Sequence, residues 1–217
     1  MQLNELHPAF DRLQLKHGDK SLRSIYGAGY LNRPRLMFVF MNPTAKNVAA
    51  DKKWQGLRAP WLGTKPFWKL AFEVGILSER TFLKTKELKA NEWSPGFSEE
   101  IYRALAQNKV YVTNLAKCTQ VDARLLSNNL FRDYLELMLK ELILIKPKAV
   151  VSFGNQVSSI LLGKQVSVKD YAGDDKETFR VGGKMLGVYP VYYPVGQGMR
   201  NMPLAMRRIR KIISVVE

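Results

Sequence analysis

The residues of this chain best suited to chemistry are polar side chains that directly follow short apolar segments of the sequence. Asn42 follows the segment 36–41, Asn114 ends the segment 109–114, and Tyr193 follows a third such segment. A buried asparagine offers amide donors together with an acceptor, which suits recognition of a neutral polar ligand by hydrogen bonds. The pattern therefore predicts a recognition site built around side-chain amides.

Several common kinds of catalytic and binding site are excluded by residue content. The histidines, His7 and His17, lie far upstream of these asparagines, so no Ser-His-Asp or Cys-His pair can be assembled. With Cys118 as the one cysteine, we expect no Cys/His metal site. No glycine-rich phosphate loop follows an apolar segment. The apolar segments are too short to span a bilayer and no secretory signal is visible, so we expect a cytoplasmic protein without a membrane partner.

Aromatic and basic residues alternate in the polar stretch around residues 43–68. Its flat aromatic side chains are Trp54, Trp61, Phe67 and Trp68, and its cationic ones are Lys52, Lys53, Arg58 and Lys65. This mixture is typical of a stacked nucleobase held beside a phosphate backbone. The formal net charge of +15 over 217 residues also favours an anionic partner: nucleic acid first, a membrane surface second and an acidic protein third.

The elements that would position these residues alternate between strands and helices. Residues 35–42, 109–114 and 149–153 are short apolar runs that predict buried strands. Predicted helices cover 2–17, 67–76, 98–107, 127–146, 155–162 and the stretch after Asn201, and a hairpin joins 178–181 to 185–191. The alternation predicts a three-layer α/β/α sandwich with a short, mostly parallel central sheet. Ligands of such sheets lie at the carboxyl ends of the strands, where the asparagines are expected.

The chain also carries a series of motifs that resembles a known family. IYGAGYLNRPRLMFVFMNP, LRAPWLGTKPFWKLAFEVGI, KVYVTNLAKC, LILIKPKAVVSFGNQVSSILLG and VYPVYYPVG are similar to motifs of the uracil-DNA glycosylase superfamily, most of all its bacterial and archaeal iron–sulfur branch. Their order and spacing hold from about residue 25 to 215. The resemblance implies a single glycosylase-like domain over 1–217, with residues 1–24 as a helical extension packed on it.

The resemblance implies roles for individual residues. Asn42 matches the position that holds the attacking water, Trp61 the aromatic residue on which the flipped base stacks, and Asn114 the asparagine that reads the edge of uracil. Tyr193 falls where many members have the histidine that hydrogen-bonds uracil O2, so Asn42 and Tyr193 are the implied catalytic residues. Met41 is implied as a further base-binding residue. The implied activity is hydrolysis of the N-glycosidic bond of a deaminated base, with uracil as first candidate, by a monofunctional glycosylase of base-excision repair.

The implied partner is DNA that contains a damaged base, bound by a monomer in the nucleoid of a bacterium or archaeon. Lys117, Gln197, Met199 and Arg200 are the expected DNA contacts, with Met199 as the side chain that fills the gap left by the flipped base. The iron–sulfur branch holds its cluster through four cysteines. Only Cys118 is present here, so we expect no cofactor.

Each of these roles has a structural alternative, and the proposed activity has functional ones. Asn42 and Asn114 could be turn residues after strands, and the aromatic residues could simply pack in the core. Asn42 cannot take a proton near neutral pH, and Tyr193 replaces a histidine. A binding module that recognises DNA or a nucleotide without chemistry therefore stays open, as does another base-removing or nucleotide-hydrolysing activity in the same pocket.

Overall fold

The computed structural model describes residues 2–123 and 126–216, which form a central mixed sheet between two layers of helices. The strands of the described chain are β1 (Ala28–Gly29), β2 (Leu36–Phe40), β3 (Val110–Asn114), β4 (Ala149–Phe153), β5 (Glu177–Val181) and β6 (Lys184–Val191). The helices are α1 (His7–His17), α2 (Pro66–Glu73), α3 (Glu79–Glu87), α4 (Pro95–Gln107), α5 (Asn128–Ile145), α6 (Asn155–Leu162) and α7 (Met202–Val215). The predicted fold class is confirmed.

The sheet has the strand order β1-β3-β2-β4-β6-β5. The inner strands β3, β2, β4 and β6 are parallel, and the edge strands β1 and β5 are antiparallel to their neighbours. Strand β2 lies at the centre, with β3 on one side and β4 on the other. The chain therefore adds strands first on one side of β2 and then on the other, and the strand order reverses at β2. In open sheets of this kind the crevice for a ligand forms at that reversal, outside the carboxyl ends of the strands.

Each face of the sheet carries its own hydrophobic core. On the face that we call the α2 face, Phe38 and Phe40 of β2 pack with residues of α2, α4 and α7. On the opposite side, the α5 face, Met37 and Val39 pack with residues of α1, α5 and α6. Because successive side chains of a strand point to opposite faces, this alternation assigns every strand residue to one core.

Helix ends follow the local signals of the sequence. Ser127 accepts a hydrogen bond from the backbone of Leu130 at the start of α5, and Lys146 ends that helix in a left-handed conformation before Pro147. Gly163 ends α6 in the same way.

The hairpin of β5 and β6 is confirmed. Sequence patterns missed β1, which is only two residues long, and α3, whose composition is polar.

The amino-terminal helix α1 packs on the α5 face, where Phe10 is buried. Asp11 on its other side accepts hydrogen bonds from Tyr26, Ser24 and Arg58. The helix is therefore attached both to the core and to the segment that precedes Trp61. Among the described helices, none is long and apolar enough to cross a membrane.

Arg208 of α7 is buried, whereas its basic neighbours Arg207 and Arg210 are exposed. Its side chain is buried and donates hydrogen bonds to the carbonyls of Pro190, Gly173 and Asp175. The guanidinium group fixes the segment before β5 against β6, because its rigid fork of donors can satisfy several carbonyls at once.

Candidate active site

The parallel strands bring the predicted polar residues to one edge of the sheet. Asn114 is the last residue of β3 and the lateral partner of Phe40 in β2, and Asn42 follows two residues after Phe40. Lateral partners in a parallel pair point to the same face, so the side chain of Asn114 lies on the α2 face with the ring of Phe40. The predicted grouping of Asn42 and Asn114 at the carboxyl ends of the central strands is therefore confirmed as geometry.

Asn114 is buried, with 2% of its surface exposed, and its amide nitrogen is unsatisfied. Within the described part of the chain no acceptor contacts this Nδ2 atom. A buried donor without a partner costs about 1–3 kcal/mol, which proteins rarely tolerate in a purely structural position. The amide is thus available to a ligand that presents an acceptor oxygen on the α2 face.

Aromatic rings surround this position. Phe40 stacks on Phe153 with centroids 4.2 Å apart, meets Trp61 edge-on at 4.8 Å, and meets Tyr193 edge-on at 6.1 Å. Trp61 in turn lies 5.9 Å from Phe67 in a stacked orientation. The cluster provides flat apolar surfaces beside an amide, which is the combination that recognises a nucleobase by stacking and hydrogen bonding.

Trp61 has a left-handed backbone conformation, with φ of 66°. A bulky residue rarely adopts this region, and such strain is retained where the surroundings enforce it. Here the carbonyl of Trp61 accepts hydrogen bonds from Trp68 Nε1 at 3.0 Å and Thr64 Oγ1 at 2.8 Å. The Nε1 atom of Trp61 itself is buried and contacts no acceptor among the described residues. The loop therefore holds this indole ring in a set orientation against Phe40.

Asn42 has a fixed amide orientation. Its Nδ2 donates to the carbonyl of Pro43 at 2.9 Å, and that carbonyl also accepts from the backbone of Gln120 at 3.2 Å. No donor in the described chain contacts Asn42 Oδ1, which is left as an acceptor for a water molecule. An amide oxygen can orient water but does not remove its proton near neutral pH.

Two glycines, Gly154 and Gly198, lie against Tyr193. Gly154, at the start of α6, has φ of 86°, and a Cβ atom there would lie 3.5 Å from Tyr193 Cβ. At Gly198 a Cβ atom would lie 2.0 Å from the carbonyl oxygen of Tyr193, so only glycine fits. Burial raises the pKa of the Tyr193 phenol well above its ordinary value, which keeps the hydroxyl protonated as a donor.

The segment after Tyr193 forms the 3-10 helix Gly196–Asn201, which leads directly into α7. Met199 on this helix is 45% exposed, and Arg200 is exposed. An exposed methionine and arginine beside the site are compatible with the predicted DNA contacts. The side chain of Gln197 lies outside the described part of the structure.

Two of the expected site residues are placed elsewhere. Lys117 is fully buried on the α5 face, where its Nζ lies 2.6 Å from Glu141 Oε2, so its ammonium cannot meet a DNA phosphate in this structure. Met41 packs its side chain against the core of the α5 face, opposite to the face of Asn114. Its carbonyl instead accepts from the backbone of Ala116 at 3.0 Å. The expected DNA contact of Lys117 is corrected, because its ammonium is buried in an ion pair with Glu141. Met41 lies on the α5 face because neighbouring residues of an extended segment alternate between faces.

Comparison with known families decides the classification. A family model described as the uracil DNA glycosylase superfamily matches residues 28–211. The chain belongs to the uracil DNA glycosylase superfamily. A search of curated proteins finds no match. Membership supports a glycosylase, which is a hydrolase, that binds DNA as substrate and takes part in DNA repair.

An iron–sulfur cluster, which one branch of the uracil DNA glycosylase superfamily holds, does not fit the residues of this chain. Cys118 is a free, buried thiol whose pKa is raised to about 11 by burial. A cluster ligand must be a thiolate, and one thiolate cannot hold a cluster. Within residues 2–123 and 126–216 no group of three or more His, Cys, Asp or Glu side chains could hold a metal ion.

Sequence reasoning missed two aromatic partners in the candidate site. Phe40 lies two residues before Asn42, so it could have been found from the two-residue period of a strand. Phe153 is the last residue of β4, and its stacking on Phe40 depends on how the strands are arranged. The buried pairing of Glu141 with Lys117 had no local signal, because the two residues belong to separate elements.

Proposed function

We propose that the protein is a monofunctional DNA glycosylase that removes a deaminated base, with uracil as the first candidate, in base-excision repair. The observation that carries the proposal is the buried, unpartnered Nδ2 of Asn114 on the same face as Phe40 and Trp61. Such a site takes up a base only after the base leaves the DNA stack.

The amide of Asn114 favours uracil over cytosine for a chemical reason. Uracil presents a carbonyl acceptor at O4 beside an N3–H donor, and these match the amide nitrogen and amide oxygen of an asparagine. Cytosine presents an amino donor and an N3 acceptor at the same two positions. An amide held in the orientation that binds uracil would therefore face a donor with its nitrogen and an acceptor with its oxygen. A site that leaves a buried donor unpaired with the wrong base discriminates strongly against that base.

The proposed chemistry is hydrolysis without a general base. Asn42 Oδ1 would hold a water molecule, whose oxygen bonds to the sugar C1′ while the bond between C1′ and the base nitrogen breaks. The electron pair of that bond leaves with the base as an anion, and the proton of the water passes to solvent. The protonated hydroxyl of Tyr193 would donate a hydrogen bond to the departing base, which stabilises its charge.

A second candidate is a DNA- or nucleotide-binding module without catalysis. The same two residues favour it, because neither the amide of Asn42 nor a phenol whose pKa burial raises can act as a base near neutral pH. In that case the aromatic cluster and Asn114 would bind a base that is never cleaved.

Base excision from labelled oligonucleotides distinguishes the two candidates. The substrates carry uracil, hypoxanthine or xanthine in single-stranded or mispaired DNA, and alkaline cleavage reveals abasic sites. We expect product from the wild type that falls sharply in Asn42→Ala. No product from any substrate, with DNA still bound at low salt, would support the binding module instead.

A further inference from the structure

The buried ion pair of Lys117 and Glu141 lies directly behind the proposed base-reading residue. Both side chains are fully buried, and Lys117 Nζ lies 2.6 Å from Glu141 Oε2. Lys117 belongs to the turn that follows β3, and Glu141 lies on α5 across the α5 face. The pair is therefore separated from any ligand on the α2 face by the sheet itself.

The hydrogen bonds around the pair form a connected network. The ammonium of Lys117 donates to Thr113 Oγ1 at 2.5 Å and to the carbonyl oxygen of Asn114 at 2.5 Å, in addition to its contact with Glu141. Glu141 Oε1 accepts from the hydroxyls of Tyr111 at 2.7 Å and Thr113 at 2.9 Å. The contact of the ammonium with Glu141 Oε2 is an ion pair without hydrogen-bond geometry, whereas Thr113 Oγ1 joins the two charged groups by hydrogen bonds to both.

The network reaches Asn114 through its main chain. The carbonyl of Asn114 binds the ammonium, while its side chain points to the α2 face. The next residues are tied to β2, since Leu115 N donates to Phe40 O at 2.7 Å and Ala116 N donates to Met41 O at 3.0 Å. The peptide that carries the base-reading amide is thus held on one side by β2 and on the other by Lys117.

A structural purpose alone does not explain this choice of residues. Burying two charges is unfavourable, and apolar residues of the same volume usually stabilise a core as well or better. An apolar pair, however, could not hold the carbonyl of Asn114. We propose that Lys117 and Glu141 are positioning residues that set the location and orientation of the Asn114 amide for base recognition. The inference rests on the proposed function of Asn114 as the base reader.

The double variant Lys117→Met/Glu141→Gln tests this inference. It removes both charges, nearly preserves both shapes, and keeps an amide oxygen for Tyr111 and Thr113. We expect it to fold and to bind undamaged DNA like the wild type, while single-turnover excision slows roughly 100-fold, as expected when a reacting group is displaced by about 1 Å. The side-chain amide signal of Asn114 in a ¹⁵N NMR spectrum, assigned with Asn114→Ala, should shift or broaden.

Arg35→Met is the matched control. Arg35 is another basic residue that binds main-chain carbonyls, those of Ile213 and Val216, but it lies at the amino end of β2. We expect this variant to lose stability without any change in the excision rate or in the Asn114 signal. If the double variant does not fold, Thr113→Val, which removes only the hydroxyl shared by Lys117 and Glu141, replaces it.

The outcomes separate the positioning role from the proposed function. An unchanged Asn114 signal in the variant overturns the positioning role, whether or not excision slows. A changed signal with an unchanged excision rate overturns it as well. If the wild type excises no base at all, the proposed function fails, and the Asn114 signal alone still decides whether the network positions the amide.

Discussion

Phe40 and Asn114 are lateral partners on the parallel strands β2 and β3, and their side chains share the α2 face of the sheet. This pairing places the buried amide of Asn114 beside the ring of Phe40. The centroid of that ring lies 4.8 Å from the Trp61 ring and 6.1 Å from the Tyr193 ring. The register of two strands thus determines which aromatic surfaces a bound base would meet.

Replacing Asn114 tests its unsatisfied donor. We expect Asn114→Ala to lower the excision rate by about 100-fold or more, the usual effect of removing one aimed donor from a reaction site. Binding to undamaged DNA, measured by fluorescence anisotropy, should stay within about twofold, because that binding depends on phosphate contacts. Asn108→Ala, at an exposed helix end, is the control and should leave both quantities unchanged. Equal loss of excision and of DNA binding would contradict the base-reading role.

Trp61 is expected to act through its ring. Trp61→Phe keeps a stacking surface and should retain most activity. Trp61→Ala should weaken binding of DNA that contains the target base by about 5- to 150-fold, since base–aromatic stacking contributes about 1–3 kcal/mol. Because φ at Trp61 is 66°, Trp61→Gly should be more stable than Trp61→Ala while it loses the same stacking. Thermal unfolding and binding of uracil-containing oligonucleotides measure the two effects. Full activity in both small variants would rule out stacking on this ring.

His7 is expected to make stability depend on pH. Its ring stacks on Tyr26 at 3.7 Å, and Arg58 lies over the same Tyr26 ring at 4.1 Å. Burial first, and then the charge of Arg58, lower the pKa of His7 below its ordinary 6.5. The unfolded chain therefore binds a proton more readily than the folded one, so the free energy of unfolding should fall as pH drops below about 6.5, by at most about 1.4 kcal/mol per pH unit.

The variant His7→Phe keeps the stack on Tyr26 and removes the titrating group. Urea unfolding between about pH 7.5 and about pH 5 should show a flatter dependence for this variant than for the wild type. Identical slopes for the two proteins would show that His7 does not contribute.

Glu141→Gln is expected to lower the stability of the fold, because it leaves the buried charge of Lys117 without its partner. Removing one member of a buried ion pair destabilises by about 3–5 kcal/mol, because the other charge stays buried alone. Burial already lowers the pKa of Lys117, and Glu141 opposes that effect. Without Glu141 the folded chain releases this proton more readily than the unfolded chain, so the stability of the variant should rise with pH toward 10.5.

Urea unfolding at about pH 7 and about pH 9 measures this trend, and Lys117→Met/Glu141→Gln is the companion variant, which should recover most of the lost stability. A double variant as unstable as Glu141→Gln would mean that lost hydrogen bonds, and not the unpaired charge, cause the destabilisation.

The sequence was sufficient for the elements with strong local patterns. Apolar runs identified β2, β3 and β4, and helical spacing with Ser127 and Gly163 at the ends identified α5 and α6. The grouping of Asn42 and Asn114 followed from these strands alone, because the carboxyl ends of parallel strands meet at one edge. The short strand β1 and the polar helix α3 lacked such patterns and were missed.

The tertiary structure decided which face each residue occupies. The sequence by itself determined the strands, their alternation and the polar residues at their ends, since these depend on neighbours within a few positions. Whether Lys117 meets solvent or Glu141, and whether Asn114 shares a face with Phe40, depends on register and on contacts between distant elements. A charged residue after a strand is expected at the surface unless a partner is buried with it, and only the folded chain supplies that partner.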